Sequence, residues 1–141
     1  MPTNTAGTNA RDLQMQVMHY LRKTVNFNDT GIGTGIAFAN PLPAGAIIHP
    51  LASTIVVRTA FNAGTTNNLL VGTSAGGNQL VATADSAAGV AGVKTFALAT
   101  VGVNARVAND TSIYVTYTQT GTAATAGVAD IVIAYSLNND A

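Results

Sequence analysis

The chain has 141 residues, of which 9% are charged and none is cysteine, tryptophan or glutamate; six cations balance six aspartates. The missing cysteines exclude disulfides, thiolate metal sites and thiol nucleophiles, and the scattered, balanced charges exclude the basic footprint of a nucleic-acid binder. No apolar run approaches the roughly 18 to 20 residues that cross a bilayer, and the polar amino terminus has no secretory h-region.

Residues 1–9 hold little to bury, so 1–16 reads as a flexible N-terminal arm and 17–141 as one β-sandwich domain. From Ala10 to Phe27 two patterns compete. Leu13, Val17 and Leu21 recur at helical spacing behind a possible cap at Asn9. Met15, Val17, His19, Leu21, Val25 and Phe27 share one parity, broken by Lys23. A strand over about 17–28, with a short turn of helix before it, is expected, and helix throughout is the alternative. Asn28–Gly35 is a turn-rich loop whose glycines lack the GlyLysSer/Thr of a phosphate loop. Ile36 and Phe38 alternate toward a core. Ala46–Ile48 is a short strand that Pro50 limits, because proline cannot donate to a ladder.

Thr54–Phe61 carries the clearest strand pattern, with Ile55, Val57, Thr59 and Phe61 on one side and Val56, Arg58 and Ala60 on the other. The polar stretch Asn62–Asn68 and the apolar Leu69–Val71 complete what reads as a hairpin. Gln79–Thr83 is a weak strand, Asp85–Gly92 a loop. Lys94–Ala99 is a strand with Phe96 and Leu98 inward or in the reverse register, and Val103–Asp110 is a connector. Ser112–Gln119 sets Ile113, Val115 and Tyr117 against Tyr114, Thr116 and Thr118. In the last strand Ile131, Ile133, Tyr135 and Leu137 form one face, while Val132 and Ala134 point to cover on the other. Eight or nine short strands with turn clusters between them predict an all-β fold, a jelly-roll-like antiparallel β-sandwich with at most one short helix. A closed barrel fits the same pattern.

No constellation of chemistry stands out. His19 and His49 lack zinc-site spacing, and there is no glutamate to act as base. Ser53, His49 and Asp29 make a triad only on paper, without a nucleophile elbow. The aspartates show no calcium-loop pattern. No catalytic residue, cofactor or metal is expected. Low charge and zero net charge favour association, and neutral polar groups cost little to desolvate. The candidate contact residues are Thr3, Asn4 and Arg11 in the arm, Arg22, Lys23 and Arg58 on strands, and Asp29 and Asp85 in loops. Arg22, Lys23 and Arg58 read as solvated face charges that discourage edge pairing; the sharper alternative, given so few charges, is that each cation sets register against a partner's acid.

His19–Ile32, Leu42–Ile48, Thr59–Asn67 and Leu70–Ser74 together resemble the small cement, head-stabilising or decoration proteins of tailed bacteriophages, the Bordetella podophage type among them. The resemblance spans roughly residues 17–137 and rests on turn and strand motifs. It implies a homodimeric structural subunit on the exterior of the virion, bound to the phage major capsid protein and bridging its subunits, without nucleic acid, membrane or enzymatic activity. The alternative is a jelly-roll receptor- or glycan-binding module of a phage fibre, which would stack sugars on Tyr20 and Tyr114.

Overall fold

The computed structural model describes residues 17–137. The expected arm at 1–16, the turn of helix before the first strand and the polar end of the chain lie outside them. Eight strands follow in order: β1 (His19–Asn26), β2 (Ile36–Ala37), β3 (Ile47–Ile48), β4 (Thr54–Thr59), β5 (Thr66–Gly72), β6 (Gly92–Thr95), β7 (Tyr114–Thr120) and β8 (Val128–Ser136). One sheet has the order β1-β8-β4-β6, with β3 also paired to β8; the other has the order β2-β7-β5. All pairings are antiparallel. Apart from the step from β3 to β4, each strand is followed by one in the opposite sheet. That alternation makes a jelly roll rather than a closed barrel. The fourth strand of the smaller sheet is reduced to single bridges, Val71–Val81 and Asn68–Ala87.

Period-two patterning puts the core between the sheets. Val25, Ile55 and Ile131 from one sheet and Leu69, Val71 and Val115 from the other are fully or almost fully buried. β1 is a strand, as the shared parity of Leu21 and Val25 predicts, and β8 is covered at Ala134 on its second face.

Three of the expected elements change. The predicted hairpin does not form, because β4 and β5 belong to different sheets. Facing strands of a sandwich bury the same alternating residues as adjacent strands do, so the pattern alone cannot separate them. The corner is closed by Asn67, whose Oδ1 accepts the Ala63 N–H at 2.8 Å and whose Nδ2 donates to the Ala63 carbonyl at 3.1 Å. Second, the stretch Gln79–Thr83 makes only the Val81 bridge and then enters a 3-10 turn at Thr83–Asp85. Third, the strand expected at Lys94–Ala99 lies earlier, at Gly92–Thr95. Phe96 is buried, but Leu98 is exposed and starts the short helix α1 (Leu98–Val101), which sends Val101 into the core instead.

β3 and β4 run along β8 as one interrupted strand. His49 N–H donates to the Ala134 carbonyl at 2.8 Å. Pro50 then breaks the ladder and residues 50–52 loop out as a 3-10 turn. Ser53 resumes it with its side chain: the buried Oγ accepts the Ala134 N–H at 3.0 Å and donates to the His49 carbonyl at 2.9 Å. Further on, the β4–β8 register shifts between Val57, opposite Ala129, and Thr59, opposite Val128. Arg58 is the extra residue of a bulge. The bulge turns Thr59 out to solvent, against its predicted inward parity, before Phe61 returns to the core.

Candidate functional site

The outer face of the larger sheet gathers two of the predicted contact residues, Arg22 and Arg58, around one that the sequence reading missed. β8 is flanked by β1 and β4, so register sets Asp130 between Thr24 on β1 and Val56 on β4. The Thr24 hydroxyl donates to Asp130 Oδ1. Arg58 Nε, aimed by the bulge, lies 2.8 Å from Asp130 Oδ2, and Arg22 lies 3.5 Å from Oδ1. The carboxylate side chain is 10% exposed, whereas those of Arg22 and Arg58 are 67% and 52% exposed. The Thr24 hydrogen bond is the chief cause that holds the Asp130 carboxyl below its ordinary value. Burial opposes it, and the charges of Arg58 and then Arg22 reinforce it. Lys23 follows Arg22 on β1, half-buried and on the opposite parity.

The cations therefore do pair with an acid, but with the chain's own Asp130. Low charge content could not reveal this, because pairing across 72 residues between Arg58 and Asp130 (130 − 58) is set by sheet order. Arg22 and Arg58 still leave their outer faces open to solvent. Exposed apolar groups lie elsewhere on the same sheet. Tyr20 and Ile47 are exposed near the end of β8, with Tyr20 opposite Ala134 and Ile47 opposite Ser136. Leu51, Val93 and Leu98 are exposed on the far side of the same sheet, where β6 and α1 both pack against the 50–52 turn.

The remaining predicted residues do not join this cluster. Asp29 closes the end of β1, accepting the Asn26 N–H at 2.8 Å and the Asn26 amide at 3.2 Å. Asp85 accepts the Thr100 hydroxyl at 2.6 Å and ties its 3-10 turn to α1. Thr3, Asn4 and Arg11 lie outside the described residues. The paper triad is not assembled: Ser53 Oγ bonds the backbone of His49, not its ring, and His49 Nε2 meets Ser136 Oγ at 3.0 Å. His19 stacks on Tyr135 with ring centroids 5.6 Å apart. Among the described residues no three His, Asp or Glu side chains cluster as a metal site would need. Of the two aromatics considered for sugar stacking, Tyr20 is exposed and Tyr114 is half-buried.

The sandwich has a counterpart among solved structures. A chain of the structure titled "Cyanophage Pam1 capsid asymmetric unit" superposes on it with a TM-score of 0.58, covering 86% of this chain and 85% of that one at 18% identity. At that identity the likeness is one of fold. No family model matches the chain, and no curated protein matches it in sequence.

Proposed function

We propose that this protein is a structural component of a phage capsid, of the cement or decoration kind, which binds the outside of the shell and bridges neighbouring capsid subunits. The observation that carries this reading is the jelly roll it shares, over most of both chains, with a chain of a cyanophage capsid asymmetric unit. The composition supports it. A surface of Thr, Asn, Ala and Gly with 9% charged residues gives up little hydration on contact. The exposed Leu51, Val93 and Leu98 add apolar area that a contact could bury. In this reading the subunit works as a homodimer and performs no turnover. Modest contacts, repeated over many copies and linked through the dimer, sum by multivalency into resistance to internal pressure.

The test is reconstitution on genome-free shells of the phage that encodes it, prepared without this protein. Saturable co-sedimentation with the shells, a higher shell disruption temperature and density on the outer surface by cryo-electron microscopy are expected. Failure to sediment with the shells, or density confined to the tail or its fibres, overturns the reading.

A further inference from the structure

We propose that the outer edge of β1, which no described strand covers, is a strand-addition site for an extended protein segment bearing carboxylates. This deepens the shell-binding reading, and rests on it only for the identity of the partner.

The argument starts with backbone polarity. Phe27 N–H donates to the Gly127 carbonyl at 3.0 Å, continuing the β1–β8 register. In an antiparallel pair the bonded residues alternate. Val25, Lys23 and Leu21 therefore spend their N–H and C=O on β8, and those of Thr24, Arg22 and Tyr20 point away from it. Among the described residues no strand lies on that side of β1. The other edges are closed or short. β5 is bridged by Val81 and Ala87, β2 has two residues and β6 has four, against eight in β1. An unpaired row of donors and acceptors is a template for another chain.

The charges choose the kind of chain. One end of the edge already holds a carboxylate: Asp29 caps the outward N–H of Asn26 at 2.8 Å. On the outer face of the edge, Arg22 has only the longer share of an Asp130 that Arg58 holds at 2.8 Å against 3.5 Å. Arg22 is the more exposed and more loosely held of the two cations on Asp130. A second copy laid on the same edge would bring two exposed Arg22 side chains onto one seam, where like charges oppose pairing. An acidic strand meets Arg22 as a charge-assisted partner and fills the outward backbone bonds at once.

Amide exchange and peptide titration by NMR on the full chain test this without any shell, so failure here leaves the capsid reading standing and the reverse. The Tyr20, Arg22 and Thr24 amides of the free protein are expected to exchange fast. The capped peptide ThrGluValAspValGluThr is expected to shift and protect them, and its counterpart with Lys at the three acidic positions is not. Arg22→Gln is expected to weaken binding about five-fold, the size of one exposed ion pair. Tyr20→Pro, which removes an outward N–H and no β8 bond, is expected to abolish it. Should that variant fail to fold, an acidic peptide N-methylated at alternate residues takes its place, with loss of binding expected. Slow exchange of the three amides in the free chain, no shifts at millimolar acidic peptide, equal binding of the lysine peptide or unchanged binding after N-methylation each overturns the proposal. So does a dimer that Tyr20→Pro dissociates, which would assign the edge to a second copy.

Discussion

A single hydroxyl bridges the gap that Pro50 opens between β3 and β4. Ser53 Oγ takes the Ala134 N–H that a ladder carbonyl would otherwise accept, and its removal leaves a buried donor without a partner. Ser53→Ala is expected to cost about 1 to 3 kcal/mol, read by chemical denaturation, while Ser53→Thr restores part of it. Gly127 is the second position where one atom decides. Its φ of +151° disfavours a side chain, and a Cβ there would press on the Phe61 ring, which itself lies 4.6 Å from the Tyr117 ring. Gly127→Ala is expected to cost about 2 to 5 kcal/mol through strain and overpacking together. A loss under 1 kcal/mol in the same measurement would show that the corner adjusts freely.

At the scale of elements, the three strands β1, β8 and β4 are tied on their outer face through one carboxylate. Asp130 titrates below its ordinary value because the Thr24 hydroxyl, and behind it Arg58 and Arg22, favour the ionised form. A folded-state value lower than the unfolded one means that the unfolded chain binds the proton more readily. The stabilisation is then present above the unfolded value of 3.8 and is lost as pH falls through the folded value. Stability of the wild type is expected to fall on acidification below about pH 4. Asp130→Asn is expected to start about 1 to 2 kcal/mol lower at neutral pH and to lose the part of the acid slope that Asp130 supplies. Denaturation midpoints measured over a pH series would separate the two; parallel slopes would remove Asp130 from the account. Tyr117 works in the opposite sense. Burial raises its phenol, so its contribution is present in full below the unfolded value of 10.0 and declines as pH rises through the folded value.

For the whole molecule, the decisive feature is that both sheets share one core. Ile133→Ala, at a fully buried position of β8, is expected to cost about 2 to 5 kcal/mol and to lower a single unfolding transition seen alike by far-ultraviolet circular dichroism and tyrosine fluorescence. Two separate transitions would mean that the sheets melt independently. Light scattering of the purified protein bears on association: a dimer is the expected species, and a monodisperse monomer that ignores shells would count against the capsid reading.

The chain by itself determined which residues go inside. Val25, Ile55, Val57, Ile113, Val115, Ile131 and Ile133 are buried where period-two alternation puts them, because burial of one strand face is a local property of neighbours two apart. It also determined that Arg58 faces outward. Only the tertiary structure decided which strands are neighbours. The alternation of β4 and β5 satisfies a hairpin and a sandwich equally, and the corner held by Asn67 separates them. For the same reason the sequence could mark Arg22 and Arg58 as scarce cations but not find Asp130 between them. Sheet order brings residues 22, 58 and 130 together, and no spacing along a chain encodes a distance across a sheet.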